Sequence, residues 1–307
     1  MAAIVEKLLS GSLQKSSLPT YRRAWCLFEK FQIDTIGYTL QKLPIMPSTL
    51  ALFIAYLYDK KYAPSTVSTY ISAIGYCHRL AGFDDPTKTF YILEILKGYR
   101  KIGQKLDCRL PITLPILERV MEAGDIIGIS NYQSIMFKSM CSLAFFAFLS
   151  IGEITISHEN HNNVLHMNQV FKQCDVNGNT QSLRIEFWNF KHNYNNHPFS
   201  IVLKRQKKAC PVQSLLDYIA LRGIHDGPLF INERGNVIHR VQFSEMLMSA
   251  LKFCKLDPNR YKGHSFRIGA ATFAAEQGLS ETKIKCLGRW KSDAFKKYIR
   301  ISSLATS

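Results

Sequence analysis

The apolar period that runs through the first hundred residues stops between Tyr99 and Pro111, and this break divides the chain before anything else is read from it. The intervening stretch, Arg100-Lys101-Ile102-Gly103-Gln104-Lys105-Leu106-Asp107-Cys108-Arg109-Leu110, is polar, basic and interrupted by Gly and then Pro. That is the composition of a connector. Upstream, helix starts are announced by Pro or a capping residue at Ser17-Leu18-Pro19-Thr20, Met46-Pro47-Ser48-Thr49, Ala63-Pro64-Ser65-Thr66 and Asp85-Pro86-Thr87. In the third segment Val67, Tyr70, Ile71 and Ile74 recur at the i, i+3, i+4, i+7 spacing of a buried helix face. The expectation is an all-helical domain over 1–105, a linker over 106–111 and a second domain over 112–307. A chain of 307 residues has room for two domains, each with its own core.

The second part changes character along its length. A helical pattern covers 114–123, and a strongly apolar one covers about 129–149, the pattern of a buried central helix. Strand-type residues then alternate in Val164-Leu165-His166-Met167, Leu183-Arg184-Ile185-Glu186-Phe187-Trp188 and Phe199-Ser200-Ile201-Val202-Leu203, separated by Asn/Gly-rich and Asn/His-rich turns. Helical patterns return over 212–221, 241–253, 266–276, 281–287 and 292–299. The fold class expected is mostly α with a small antiparallel β-sheet of about three strands, a helical domain followed by an α+β domain.

Charge narrows the partners. Lys and Arg number 39 against 23 Asp and Glu, a formal net charge of +16. The excess is +7 over residues 1–110 and +9 over the remainder, so it is not a basic tail on a neutral domain. Such a balance is expected of a protein that meets a polyanion, and nucleic acid is the leading partner. In the helical part, Arg22, Arg23, Lys60, Lys61, Arg100 and Lys101, with Lys97, punctuate the exposed positions with aromatics nearby, as in a helical clamp on a phosphate backbone.

Eight cysteines, with no C-x-x-C pair, read as reduced and mostly buried thiols. The longest apolar run, 140–151, falls short of the roughly 20 residues that span a bilayer, so no membrane partner is expected. The first residues, Met1-Ala2-Ala3-Ile4-Val5-Glu6-Lys7, lack the pattern of a secretory leader, and the expected location is intracellular, with the nucleus foremost.

Three pieces near the C-terminus carry chemistry. In Gly263-His264-Ser265-Phe266-Arg267-Ile268-Gly269-Ala270-Ala271-Thr272, the i, i+3 spacing sets His264 and Arg267 on one face of a helix start. In Leu287-Gly288-Arg289-Trp290-Lys291-Ser292, a turn between helices puts a cation beside an indole N–H, and both can donate to a phosphate oxygen. Eight residues beyond Trp290 stands Tyr298, in Phe295-Lys296-Lys297-Tyr298-Ile299-Arg300.

Together, on a basic two-domain chain, these pieces resemble the catalytic region of the tyrosine recombinases of the phage-integrase type. The resemblance is strongest to the crypton and DIRS-like mobile-element branch, whose C-termini share the look of His264-Ser265-Phe266-Arg267-Ile268-Gly269, Leu287-Gly288-Arg289-Trp290 and Tyr298-Ile299-Arg300. It covers nearly the whole chain. It implies a SAM-like core-binding domain that clamps double-stranded DNA, a catalytic domain, and strand cleavage and rejoining through a 3′-phosphotyrosyl intermediate, with no cofactor and no metal.

A phenol with pKa about 10 is a poor nucleophile at neutral pH, so such a site must help the Tyr298 proton leave and stabilise charge building on phosphate. The resemblance gives Arg267 the non-bridging oxygens and His264 proton transfer and phosphate binding. For the supporting residue of the turn the register leaves two positions open: Arg289 stands nine residues before Tyr298 and Trp290 eight, with Trp a family choice at that place. The general acid for the leaving 5′-hydroxyl comes, by resemblance, from a lysine in a β-hairpin turn. Lys191, in Asn189-Phe190-Lys191-His192-Asn193, fits it.

One position departs from the family pattern. Its first catalytic arginine follows an apolar helix in a segment like Phe148-Leu149-(Arg)-Ile151-Gly152-Glu153, and this chain has Ser150 there. A hydroxyl cannot replace a five-donor guanidinium where negative charge gathers, and losing one such contact costs on the order of 10²–10³ in rate. Three outcomes are open: a crippled enzyme, a neighbouring cation that substitutes, or a relative that only binds DNA. Glu153 keeps its place behind the site. Active family members work as synaptic multimers, which leaves a dimer or tetramer on DNA open for this chain. Two further patches complete the sequence: His158-Glu159-Asn160-His161, a weak metal motif without a third ligand near in sequence, and the basic run Lys204-Arg205-Gln206-Lys207-Lys208.

Overall fold

The computed structural model describes residues 4, 17–37, 43–103, 108–157, 164–188 and 197–300, and it divides into two compact units, Met1–Asp107 and Cys108–Ser307. The first unit is helical: α1 (Leu18–Phe31), α2 (Pro47–Asp59), α3 (Pro64–Leu80) and α4 (Phe90–Ile102). The first three carry Pro in the opening turn, where its missing N–H would be unpaired in any case. Before α4, the Asp85 carboxylate accepts from the Thr87 N–H at 3.0 Å and the Thr87 hydroxyl at 2.6 Å, closing a short 3₁₀ turn. Phe28, Phe31, Phe53, Leu57, Ile71 and Ile74 form the centre of its core. His78 is fully buried there and satisfied at both ring nitrogens: Nε2 accepts from the Ile45 N–H at 2.9 Å, and Nδ1 lies 2.8 Å from the Ile74 carbonyl.

The second unit is built around a buried helix, α6 (Asn131–Phe146), capped by the Ser130 hydroxyl and packed between α5 (Leu114–Ile127) and α7 (Pro211–Arg222). Met136, Phe137, Met140, Leu143 and Ala144 are almost entirely enclosed, as a helix apolar on most of its surface requires. Three antiparallel strands, β1 (Val170–Cys174), β2 (Thr180–Phe187) and β3 (Phe199–Lys204), lie in sequence order. The pairs Leu183↔Leu203, Ile185↔Ile201 and Phe187↔Phe199 present one face to the core. Helices α8 (Arg240–Phe253), α9 (Gly263–Glu276) and α10 (Glu281–Leu287) follow, and a 3₁₀ helix, Asp293–Tyr298, completes the described chain. At its entry, the Leu110 N–H donates to the Arg260 carbonyl (2.8 Å) and the Ile112 N–H to that of Ser265 (3.0 Å), so the segment after residue 108 is already fixed to this unit.

Three expectations are corrected. The first strand is not Val164–Met167 but the segment just after it. Val164 and Leu165 are buried apolar residues of a connecting turn, whereas Val170–Cys174 forms an edge strand exposed along most of its length and so shows no alternation to read. The last helical pattern forms a single 3₁₀ segment, in which Phe295 is fully buried while Asp293 and Lys296 are turned outward to ion pairs with Lys285 and Glu281. The cysteines are all free, but only Cys141 and Cys254 are buried, while Cys26, Cys108, Cys174 and Cys286 are exposed. No helix among the described residues is long and apolar enough to cross a membrane.

Candidate active site

The site forms where three chain ends meet in the second unit: the end of α6, the start of α9 and the turn after α10. Helix α6 terminates with Phe148 in the left-handed conformation (φ 53°), and the Leu149 N–H reaches back to the Ala144 carbonyl at 3.0 Å. This is a Schellman ending with Phe where Gly is usual. The chain then makes the 3₁₀ turn Ile151–Glu153, on which the first turn of α9 rests. A Cβ at Gly263 would stand 2.3 Å from Ile151 Cγ1, so only glycine lets α9 approach this closely.

Helix α10 ends in the same way. Arg289 is left-handed (φ 53°), its N–H donates to the Cys286 carbonyl at 2.9 Å, and the Trp290 N–H donates to the Lys285 carbonyl at 3.0 Å. Gly288 leaves room for the indole: a Cβ there would fall 1.8 Å from Trp290 Cζ3. The turn sends its two side chains in different directions.

Trp290 turns toward the tyrosine. Its ring centroid lies 5.1 Å from that of Tyr298, and the His264 ring lies 4.8 Å from the same phenol. Arg267, one turn into α9 from His264, stacks its guanidinium 4.6 Å from the Trp290 ring centroid and donates from Nη2 to the Gly288 carbonyl at 2.5 Å. The backbone of Tyr298 is held by Thr272 Oγ1, which donates to its carbonyl at 3.2 Å. Tyr298 and Trp290 sit at the edge of a small core of Phe148, Ala270, Ala271, Ala274, Ile284 and Phe295, separate from the main one.

Arg289 turns inward. Its side chain is 4% exposed, pairs with Glu153 Oε1 at 2.8 Å, and lies 4.1 Å from the Phe187 ring centroid. Its Nη1 and Nη2 reach the Ala147 and Phe148 carbonyls at 3.4 Å, at the C-terminal end of α6 where a cation is favoured. The other oxygen of Glu153 accepts from the Ser150 N–H (2.6 Å) and the Ser150 hydroxyl (2.9 Å). Burial pulls both guanidinium groups below their ordinary pKa, and the Glu153 carboxylate pushes each back up. Arg267 is lowered further by the charge of Arg289. Among the described residues, Arg267 Nε is a buried donor without a hydrogen-bond partner. Such a group costs about 1–3 kcal/mol unless something supplies an acceptor.

His264, Arg267, Trp290, Arg289, Tyr298, Ser150 and Glu153 are therefore brought to one place. The register left open between Arg289 and Trp290 separates in space: the indole faces Tyr298 and the guanidinium faces Glu153. Lys191 and the motif at His158 to His161 lie outside the described residues. No cluster of three metal-ligating side chains occurs among the described ones.

In the first unit, Arg22, Arg23, Lys60, Lys61, Arg100 and Lys101 are all exposed. Lys60 and Lys61 line a groove of about 630 Å³ with Lys30, Tyr56 and Tyr62, their ammonium groups 5.5 Å from the Tyr56 ring and 5.6 Å from the Tyr58 ring respectively. Lys30 completes this basic groove and was not singled out from sequence, because a lone Lys in the last turn of a helix carries no distinguishing pattern. In the basic run after β3, Arg205 is tied to the Thr180 carbonyl and Gln213, and Lys208 to Glu118.

The architecture is that of solved DNA recombinases. A lambda integrase dimer bound to a COC′ core site aligns with a TM-score of 0.61 at 13% identity, over 100% of this chain and 96% of that one. The Tn1549 transposon integrase in complex with transposon right end DNA gives 0.62 at 12%, over 95% and 91%. The XerH site-specific recombinase in a pre-cleavage complex on difH gives 0.59 at 15%, over 93% and 76%. At these identities the likeness is one of fold: the chain has the tyrosine recombinase and integrase fold, mostly helical with a three-stranded antiparallel sheet. No family model matches the sequence, and no curated protein does.

Proposed function

We propose that this protein cleaves and rejoins strands of double-stranded DNA as a tyrosine recombinase of the crypton and DIRS-like branch, with Tyr298 as nucleophile. The observation that carries the proposal is the convergence of His264 and Trp290 on the Tyr298 ring, at centroid separations of 4.8 Å and 5.1 Å, with Arg267 stacked on the same indole at 4.6 Å. The Tyr298 oxygen attacks the phosphorus and passes its proton to His264, the P–O5′ bond breaks, and the leaving 5′-oxygen takes a proton from Lys191 to become the 5′-hydroxyl. The product is a 3′-phosphotyrosyl ester, which a 5′-hydroxyl reverses. His264 takes part in proton transfer, Arg267 clamps the non-bridging oxygens, and Trp290 donates from its indole N–H. An oxygen of that phosphate is also the kind of acceptor that the buried donor of Arg267 lacks.

DNA is held by phosphate contacts from the basic positions of the helical unit, without metal or nucleotide cofactor. The protein works in the nucleus as a homo-oligomer on DNA; the lambda integrase and Tn1549 integrase structures that share its fold are DNA complexes, the first of them a dimer. Ser150 favours a second reading: a relative that keeps DNA binding and has lost the chemistry.

Covalent trapping on nicked duplexes tests the proposal. The chain as it stands should form a protein–DNA adduct in denaturing gels, and Tyr298→Phe should form none. No adduct from the starting chain, together with one from Ser150→Arg, favours the binding-only reading. Absence of duplex binding even at low salt overturns both, since several phosphate contacts bind tightly there and weaken steeply as salt rises.

A further inference from the structure

One carboxylate organises the buried side of the site, and it is gripped from two directions. Ser150 holds Glu153 Oε2 through its N–H and its hydroxyl, and Arg289 holds Oε1 at 2.8 Å. The Ser150 side chain therefore points at the group that Arg289 neutralises, and a guanidinium grown from position 150 would run into the one already there. Arg289 also takes the two carbonyls, of Ala147 and Phe148, that end α6 immediately before position 150. Among the described residues, the partners of the Arg289 side chain in this pocket belong to the segment 147–153 or, through Phe187 and Phe199, to the paired strands β2 and β3. It enters that segment from across the site, carried by a left-handed residue whose backbone cost is accepted.

We propose that Arg289 occupies the place an arginine at position 150 would fill, so that the positive charge of the site has been moved to the turn after α10 and Ser150 is the small residue that makes room for it. Arg289 acts as a positioning residue: its charge sits beneath the pocket, and its backbone sets the Trp290 indole against Tyr298 and Arg267. The catalytic part of this inference rests on the reading of Tyr298 as nucleophile. The exchange of places does not.

A cycle of three full-length chains tests it: Ser150→Arg, Arg289→Ser, and the two together. Two guanidinium groups competing for one carboxylate should lower the melting temperature of Ser150→Arg, and Arg289→Ser should lower it by leaving Glu153 unpaired. The double variant should melt within about 2 °C of the starting chain, a recovery worth no more than about 1 kcal/mol of residual loss. Additive losses overturn the exchange. On nicked duplex, at a temperature where every variant is folded, Arg289→Ser should form adduct at least tenfold more slowly and the double variant should recover to within about threefold; equal adduct rates for folded Arg289→Ser and the starting chain overturn the positioning role. Adduct formation by Ser150→Arg alone, faster than the starting chain, overturns the inference while leaving Tyr298 as nucleophile. If no chain forms an adduct, the nucleophile reading fails and the melting cycle still decides the exchange.

Discussion

The ends of α2 and α10 share a backbone. In each, the residue two past the helix is a left-handed cation, Lys61 at φ 60° and Arg289 at φ 53°, with the same pair of closing hydrogen bonds: Lys61 N–H to Tyr58 O and Tyr62 N–H to Leu57 O at one end, Arg289 N–H to Cys286 O and Trp290 N–H to Lys285 O at the other. Glycine would take either position without the roughly 1–2 kcal/mol that a side chain adds there. What differs is where the charge goes. Lys61 stands in solvent over an aromatic ring and lines an open groove, whereas Arg289 is folded under the site against Glu153. The same strained turn is kept at one end for an exposed charge and at the other for a buried charge that ties the end of α6 to the turn after α10.

The largest effect expected is at the buried end. Glu153→Gln leaves Arg289 without its counter-charge and should lower stability by about 3 kcal/mol in urea denaturation, since breaking a buried pair is far worse than lacking one. A loss under about 0.5 kcal/mol would place the pair among surface contacts and dissolve the contrast. Next comes Arg267→Lys, which keeps a charge but gives up the stacking on Trp290 and the planar fork. Adduct formation should slow by about 10²–10³.

At the exposed end the sign reverses. Lys61→Gly should raise stability by about 1 kcal/mol as the backbone relaxes, and should weaken duplex binding with a salt slope smaller by about one unit. Arg289→Gly, which relaxes the same backbone, should instead destabilise, and finding the same sign for both substitutions would erase the comparison. The smallest effect belongs to Asp85 in the helical unit. Burial raises its pKa, but hydrogen bonds from Thr87 and the charge of Arg79 outweigh this and leave it below the ordinary carboxylate value. A depressed folded-state pKa contributes stability that is fully present above the unfolded value near 3.9 and is lost as pH falls through the folded-state value. Asp85→Asn should therefore melt lower than the parent at pH 7, with the gap closing as pH falls below the unfolded value.

How much of this was legible in the sequence follows from how local each signal is. Helix starts marked by Pro19, Pro47 and Pro64, and the apolar run of α6, are written in neighbouring residues, and the structure has helices there. The edge strand Val170–Cys174 has no apolar face and left no such mark. At the site, the i, i+3 pair of His264 and Arg267 could be read directly, but the parting of Arg289 and Trp290 could not. It depends on a left-handed residue at the end of α10 and on Phe187 and Glu153, which lie more than a hundred positions away in the chain. Ser150 was visible as a missing charge, and only its hydrogen bonds to Glu153 show what stands opposite it.

The glycine before Arg289 has a consequence for how this sequence can drift. With a Cβ position 1.8 Å from Trp290 Cζ3 and 2.0 Å from Cε3, every replacement of Gly288 puts a carbon inside the indole. The indole in turn lies against Arg267 and Tyr298. A step at 288 requires the indole to move or residue 290 to change, and either alters what faces the tyrosine. The order in which substitutions can accumulate in this turn is thus tied to one van der Waals contact: while the indole keeps its place position 288 stays glycine, and a lineage that loses the glycine must also move or give up the ring that packs against Tyr298.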